Sequence, residues 1–164
     1  MTTVSDAGSP RLGEAAPDFE LPNQFGEPVR LSALRRHPLV VHFFPFAFSG
    51  ICTEELSQIR HGWEPFARAD ARVLAVSVDS KFVQRAYAAA EGFEFSLLAD
   101  FWPHGDVARR YGVFDEDSGM ALRGTFILDG RGVVRYRVIN PRGQAREIGA
   151  YWEALAEIVG VPSA

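Results

Sequence analysis

Two short, almost uninterrupted apolar runs constrain the fold of this chain more than any other feature. Residues 39–44 read LVVHFF and end at Pro45, and residues 72–79 read RVLAVSVD. Runs of this length, rich in β-branched and aromatic side chains, are typical of strands that are buried on both faces of a sheet. Because a helical pattern separates the two runs, we predict a parallel pair of strands joined by a helical crossover.

The remaining segments complete an alternating order of strands and helices. Two short strands around a turn are predicted at residues 18–21 and 28–31, and a late hairpin at residues 125–129 and 133–139. The predicted helices cover residues 52–68, 81–91, 106–111 and 147–159, and a short strand covers residues 95–98. This order predicts an α/β fold class: a thioredoxin-like fold whose mixed central β-sheet is flanked by helices, with an N-terminal β-hairpin.

Three of the predicted helices carry apolar residues at helical spacing, and these residues are expected to face the core. In the helix at residues 52–68 the stripe consists of Cys52, Leu56, Ile59, Trp63 and Phe66. In the helix at residues 81–91 it consists of Phe82, Val83, Ala86, Tyr87 and Ala90. In the helix at residues 147–159 the stripe consists of Ile148, Tyr151, Trp152, Leu155 and Ile158.

Length and composition predict one globular domain. The chain has 164 residues, of which 47% are hydrophobic and 23% are charged, close to the average for globular proteins. We therefore assign residues 1–164 to a single thioredoxin-like domain, with residues 1–10 as a loose arm. The formal net charge of −4 gives no electrostatic attraction to nucleic acid or to an anionic membrane, so neither is an expected partner.

The location of the protein is predicted from what its sequence lacks. No apolar run approaches the roughly 18–20 residues that span a bilayer, and the N-terminal segment has no apolar stretch of the signal-peptide kind. Cys52 is the one cysteine, which rules out an intrachain disulfide. These features predict a cytoplasmic protein in a reducing compartment.

Cys52 is the residue that points most directly to chemistry. It follows the strand at residues 39–44 and opens the predicted helix, so its sulfur lies where ligands collect in open α/β sheets. A helix N-terminus favours a thiolate by about 0.3–1 kcal/mol, which is too little to ionise most of a thiol at neutral pH. A further donor is therefore required, and Ser49 could direct its hydroxyl at the sulfur while one of the 16 arginines supplies a charge.

The alternative interpretation of Cys52 is a buried and inert thiol. Free cysteine is among the most buried residue types, and Cys52 falls in the apolar stripe of its own helix. The residues alone leave both interpretations open.

Four segments of the sequence resemble the peroxiredoxins. Residues 45–52, PFAFSGIC, fit the family motif Pro-x-x-x-Thr/Ser-x-x-Cys, and Arg123 in LRGTFILD resembles the second signature, an arginine just before a strand that ends in Asp. Residues 13–26 and 99–114 resemble two further family segments, so that the resemblance covers roughly residues 11–160. A long helix without a second cysteine follows FSGIC, which is most similar to the one-Cys alkyl hydroperoxide reductase E branch.

The resemblance implies a role for each residue of these motifs. Cys52 would be the peroxidatic nucleophile, and Ser49 stands where threonine is commoner and keeps its hydroxyl. Arg123 would contact both thiolate and peroxide, and Glu55, three positions after the cysteine, would orient Arg123. Pro45 would shield the thiolate from water. Preorganised donors of this kind stabilise the negative charge that develops as an O–O bond breaks.

The resemblance also implies the reaction partners. The substrate would be hydrogen peroxide or an alkyl hydroperoxide, and no cofactor is expected. Because no second cysteine can resolve the sulfenic acid of Cys52, an external thiol or a redoxin would reduce it. A homodimer is expected. Phe101 and Trp102 could pack near the active site or at a dimer face, although core packing is the more frequent role of such residues.

Two other functions and a metal site are alternatives to this hypothesis. A thiol–disulfide oxidoreductase of thioredoxin-like fold is disfavoured because the chain has no C-x-x-C motif, and a non-enzymatic redox sensor remains a second alternative. The histidines His37, His42, His61 and His104 have no ligand spacing, so no metal site is expected. His42 alternates within a predicted strand and is expected in the core.

Overall fold

The computed structural model describes residues 8–160, which form nine strands and five α-helices. The strands are β1 (Glu20–Pro22), β2 (Pro28–Arg30), β3 (Leu39–Phe43), β4 (Arg72–Ser77), β5 (Ser96–Ala99), β6 (Phe114–Asp115), β7 (Met120–Ala121), β8 (Arg123–Leu128) and β9 (Val134–Asn140). The helices are α1 (Gly50–His61), α2 (Glu64–Arg68), α3 (Lys81–Glu91), α4 (Asp106–Arg110) and α5 (Gly149–Val159). A short 3-10 helix, Leu31–Leu34, follows β2.

A mixed five-stranded sheet forms the centre of the domain. Its strand order is β5-β4-β3-β8-β9, with β3, β4 and β5 parallel and β8 antiparallel to both of its neighbours. The antiparallel pair β1–β2 forms the expected N-terminal hairpin. The predicted α/β class, the parallel β3–β4 pair and the late β8–β9 hairpin are therefore confirmed.

Strand β3 shows why an uninterrupted apolar run becomes a central strand. All five of its residues are buried, because its side chains alternate between two separate apolar clusters. Val40 packs with residues of α1, α2, α3 and α5 on one face of the sheet. Leu39, Val41 and Phe43 pack on the other face, which is covered by the N-terminal hairpin and α4.

The single helix predicted at residues 52–68 is wrong, because two helices occupy this segment. Helix α1 begins two residues before Cys52 and ends at His61. Gly62 caps it, with the Gly62 N–H donating to Gln58 O at 2.9 Å. A Cβ atom at Gly62 would lie 2.4 Å from Cζ2 of Trp152, so only glycine allows α5 to approach this closely. Helix α2 then restarts with Pro65 in its first turn.

The inward face predicted for the helix at residues 81–91 is also largely wrong. Tyr87 is buried as expected, but Phe82 is 75% exposed and Val83 is 39% exposed. Gln84 is fully buried in their place, because its amide donates to Ser77 Oγ at 2.9 Å and to Leu98 O at 2.8 Å. A polar side chain with two buried acceptors thus sets the rotation of α3.

Part of the predicted N-terminal arm packs against the domain. Ser9 is buried and donates a hydrogen bond to Tyr111 O at 2.7 Å, whereas residues 1–7 lie outside the described part of the chain. Within residues 8–160, no helix combines the length and the apolar character needed to cross a membrane.

Candidate active site

Cys52 lies in the first turn of α1, directly after the loop that follows β3. Its side chain is fully buried. Helix α1 begins at Gly50, with Ser49 as its extended N-cap residue and Ser49 O accepting a bond from Thr53 N at 2.9 Å. The sulfur therefore lies at the positive end of a helix of 12 residues.

The guanidinium of Arg123 contacts the sulfur. Arg123 Nη1 lies 3.3 Å from Cys52 Sγ and 2.7 Å from Glu55 Oε1, and Arg123 Nε donates to Arg142 O at 2.6 Å. The sheet explains this meeting: β8 runs antiparallel to β3, so the start of β8 lies beside the end of β3. A buried side chain far along the chain thereby supplies a fixed positive charge next to the thiol.

Glu55 connects two arginines within the protein interior. It lies one turn after Cys52 on α1, and its Oε1 accepts from Arg123 Nη1 at 2.7 Å and from Arg146 Nη2 at 2.8 Å. Its Oε2 accepts from Arg146 Nε at 2.9 Å and from the Arg146 backbone N–H at 2.7 Å. Burial opposes ionisation of this carboxyl, but the hydrogen bonds and charge of Arg146 outweigh burial and lower its pKa to about 2.

Sequence reasoning missed Arg146 because nothing local distinguishes it from the other arginines. It lies in the loop before α5, 91 residues from Glu55, and is fully buried. Its Nη1 donates to Phe43 O at 2.7 Å and to Gly124 O at 3.0 Å, the backbone carbonyls of two neighbouring strands. Arg146 thus ties α1 to the end of β3 and the start of β8.

Ser49 and Pro45 border the loop, but Ser49 does not behave as predicted. The expected hydrogen bond from Ser49 to the sulfur is not formed: Ser49 Oγ is buried and has no hydrogen-bond partner among the residues that the structure describes. Pro45 is buried at the end of β3, as its predicted shielding position requires. A buried hydroxyl without a partner costs about 1–3 kcal/mol, so a polar ligand that bonds it would recover that cost.

The loop between Pro45 and Gly50 is hydrogen-bonded to Asp79, which follows strand β4. Asp79 Oδ2 accepts from Ala47 N at 2.8 Å and from Ser77 Oγ at 2.6 Å. Phe48, the residue after Ala47, adopts a left-handed backbone conformation with φ of 67°. The centroid of its ring lies 4.8 Å from that of Tyr87. These contacts fix the loop conformation that surrounds Cys52, and the sequence carried no signal for them.

The contacts among Cys52, Arg123 and Glu55 suit the site to nucleophilic chemistry at the sulfur. The structure brings Cys52, Glu55 and Arg123 together as predicted, with a guanidinium aimed at the sulfur and a carboxylate holding that guanidinium. Within the described residues, no three His, Cys, Asp or Glu side chains are grouped so that they could hold a metal ion. A sulfur held beside the guanidinium of Arg123 favours attack by that sulfur on an electrophile whose leaving group develops negative charge.

Comparison with known proteins gives one consistent result. A family model described as AhpC/TSA family matches residues 12–137. Alkyl hydroperoxide reductase E of Mycobacterium tuberculosis is 42% identical over 149 residues, which cover 90% of this chain and 97% of that protein. Peroxiredoxin-2 of Mus musculus is 33% identical over 153 residues, which cover 87% of this chain and 76% of that protein.

Solved structures extend the similarity to the fold. Peroxidoxin BcpB from Mycobacterium tuberculosis superposes with a TM-score of 0.79 at 30% identity, over 94% of this chain and 99% of that one. Enterococcus faecalis AhpC superposes with a TM-score of 0.81 at 28% identity, over 94% and 99% of the two chains. These neighbours confirm the thioredoxin-like fold, and neither the redox-sensor nor the thiol–disulfide oxidoreductase alternative is favoured. The chain belongs to the AhpC/TSA family of peroxiredoxins and is a thiol-dependent peroxidase.

Proposed function

We propose that Cys52 is the peroxidatic nucleophile of this peroxidase and that it reduces hydrogen peroxide or alkyl hydroperoxides. The observation that carries this proposal is the position of Arg123 Nη1, 3.3 Å from Cys52 Sγ and 2.7 Å from the carboxylate of Glu55. A guanidinium held in this way stabilises a thiolate before the reaction and developing negative charge during it.

In the proposed step the Cys52 thiolate attacks the distal peroxide oxygen in line with the O–O bond. A sulfur–oxygen bond forms while the O–O bond breaks, giving the sulfenic acid of Cys52 and a hydroxide or alkoxide that takes up a proton to leave as water or alcohol. The unpartnered hydroxyl of Ser49 is available to donate a hydrogen bond to a peroxide oxygen. Pro45 keeps water away from the thiolate, and Arg123 stabilises both the thiolate and the leaving oxygen.

Regeneration requires a reductant from outside the chain. The sulfenic acid condenses with an external thiol, releasing water and forming a mixed disulfide, and a second thiol then releases the Cys52 thiol and a new disulfide. A low-molecular-weight thiol or a redoxin supplies both equivalents in this proposal. The cytoplasmic location expected from the sequence would provide such thiols, and it stays a prediction.

The proposal is tested by peroxide consumption with a panel of thiol reductants. We expect one equivalent of peroxide to convert Cys52 to a sulfenic acid that dimedone traps, and turnover to continue only when an external thiol or redoxin is added. Cys52→Ser is the control and should be inactive. Dimedone labelling of the wild-type protein that is no faster than that of an unstructured cysteine peptide would contradict the proposal.

Disulfide formation between copies is expected to be slight after peroxide treatment. Cys52 is fully buried and is the one cysteine of the chain, so two sulfurs cannot meet without displacement of the loop around them. Non-reducing electrophoresis and intact mass should show mainly monomeric chains carrying a sulfenic acid or its oxidation products. A dominant disulfide-linked dimer would overturn the external-reductant scheme.

We also propose a non-covalent homodimer whose interface lies at the carboxyl ends of strands β3, β4 and β5. Exposed aromatic side chains follow all three strands there, and they are Phe46, Phe48, Phe82, Phe101 and Trp102. Trp102 is 81% exposed and Phe82 is 75% exposed, which is unusual for large apolar side chains that remain in contact with water.

A charged substitution among these exposed aromatic side chains should dissociate the proposed dimer. Trp102→Glu places a charge among the exposed aromatic side chains, and sedimentation velocity should show a shift from dimer to monomer. Leu12→Glu is a matched control, because Leu12 is also a large apolar residue and is 62% exposed. It lies at the opposite end of the strands, since the N–H of the next residue, Gly13, donates to Val134 O at the start of β9. A dimer that survives Trp102→Glu unchanged would place the interface elsewhere.

A further inference from the structure

His42 is a buried histidine that the reaction described above does not use. It lies on β3 with no exposed surface. Its Nε2 is 2.9 Å from Arg146 Nη2, and its Nδ1 is 2.9 Å from the hydroxyl of Tyr151 on α5. The imidazole therefore bridges a buried cation and a buried phenol.

The partners of His42 determine where its proton lies. A guanidinium can only donate, so Nε2 must accept the hydrogen bond from Arg146. The proton of the neutral ring then sits on Nδ1 and is donated to the Tyr151 oxygen. This leaves the Tyr151 hydroxyl proton for Thr125 Oγ1, with which Tyr151 is in hydrogen-bond contact.

The surroundings of His42 keep the ring neutral. Burial lowers the pKa of His42 well below its usual value, and the positive charge of Arg146 acts in the same direction. Among the charged groups around the ring, Glu55 on α1 opposes this shift and Arg123 on β8 reinforces it. A neutral ring is the form that can accept a hydrogen bond from Arg146.

The hydrogen bonds of Arg146 show what His42 contributes. Two of its five N–H groups are donated to the two oxygens of Glu55, and Nη1 is directed at backbone carbonyls and Thr125 Oγ1. The remaining N–H of Nη2 points at His42 Nε2. Without that acceptor one buried donor of Arg146 is unpaired, and the guanidinium is free to tilt away from its two-point contact with Glu55.

A continuous series of buried contacts then leads from the histidine to the sulfur. The distances are 2.9 Å from His42 to Arg146, 2.8 Å from Arg146 to Glu55, 2.7 Å from Glu55 to Arg123 and 3.3 Å from Arg123 to Cys52. We propose that His42 is a positioning residue for peroxide reduction, acting through Arg146 and Glu55 on the orientation of Arg123. This inference rests on the proposed role of Cys52 and Arg123.

Two substitutions of His42 distinguish the contribution of Nε2 from that of Nδ1. His42→Gln can place an amide oxygen at the position of Nε2 and so can accept from Arg146, whereas His42→Asn reaches only the position of Nδ1 and the Tyr151 hydroxyl. We expect His42→Asn to lower the second-order rate constant for hydrogen peroxide by about tenfold, the effect of losing one hydrogen bond of ordinary strength. His42→Gln should stay within about threefold of the wild-type protein.

Rates are compared at a temperature where circular dichroism shows each variant to be folded. A purely structural role would lower the unfolding temperature of both variants without changing the rate constant. Folded His42→Asn protein that reacts at the wild-type rate, or a His42→Gln protein as slow as His42→Asn, would overturn the inference. Failure of the proposed function looks different, because the wild-type protein itself would then react slowly with peroxide.

The wild-type protein provides a second test that does not depend on any variant. Nitrogen chemical shifts of the His42 ring report its protonation state and tautomer directly. We expect a neutral ring with its proton on Nδ1 at neutral pH. A charged ring, or a proton on Nε2, would overturn the inference, because neither form can accept from Arg146.

Discussion

Arg123→Ala is expected to slow the reaction of Cys52 with hydrogen peroxide by about 10- to 150-fold, with the fold retained. The alanine variant loses the donor that lies 3.3 Å from the sulfur, and no other guanidinium is in hydrogen-bond contact with Cys52 Sγ among the described residues. A charge-assisted hydrogen bond is worth about 1.5–3 kcal/mol, which corresponds to roughly 10- to 150-fold in rate. Stopped-flow peroxide kinetics and the pH titration of thiolate absorbance measure the loss.

A lysine at position 123 should recover little of this rate. Arg123 uses one nitrogen for Cys52 and Glu55 and another for Arg142 O, and a single ammonium cannot reproduce that fork. Arg135→Ala on β9 is the matched control, because Arg135 is exposed and far from the site, so the rate should be nearly unchanged. An Arg123→Ala protein that reacts at the wild-type rate would show that another arginine has this role.

Glu55→Gln is expected to lower the free energy of unfolding at pH 7 by about 3–5 kcal/mol, the usual effect of removing one partner from a buried ion pair. The substitution leaves Arg123 and Arg146 buried beside a neutral amide, while both guanidinium groups stay charged. Urea denaturation followed by circular dichroism measures the change. Glu54→Gln is the matched control, because Glu54 is the neighbouring residue on α1 and is exposed, so its effect should be small.

The stability difference between Glu55→Gln and the wild-type protein should depend on pH in a defined direction. The pKa of Glu55 falls from 4.5 in the unfolded chain to about 2 in the folded protein, so the carboxylate stabilises the fold fully above pH 4.5. That stabilisation is lost as the pH falls from 4.5 towards 2, and the glutamine variant has none to lose. The gap between the two unfolding free energies should therefore narrow over this range, and a gap that is constant with pH would contradict the ion-pair account.

The parts of the fold that could be predicted are those determined by local sequence pattern. Residues 39–44 and 72–79 are largely apolar, and a strand between two covered faces buries all of residues 39–43 and residues 73–77. The break in the helix at residues 52–68 could not be seen, because the glycine that causes it matters only through the contact of Gly62 with Trp152, 90 positions along the chain. The rotation of α3 was missed for a similar reason, since the acceptors of Gln84 lie on other elements.

The residues of the candidate site also fall into those that the sequence identified and those that it did not. Cys52 and Glu55 lie one turn apart on α1, and the resemblance to the peroxiredoxin motifs added Arg123 to them, which the residue pattern alone could not do. Arg146 and His42 have no motif, and their importance comes from five buried N–H groups that must all find acceptors. Ser49 was predicted to direct its hydroxyl at the sulfur, but in the structure this hydroxyl is buried and forms no hydrogen bond to it.

The burial of Cys52 sets different entry conditions for the two substrates of the catalytic cycle. A sulfur with no exposed surface contacts neither a peroxide nor the thiol of a folded protein until its surroundings move, and the bulky protein thiol needs the larger displacement. The segment that must move aside is held by the bond from Ala47 to Asp79 and by the packing of Phe48 on Tyr87. Turnover with a protein reductant can therefore be no faster than the displacement of this segment.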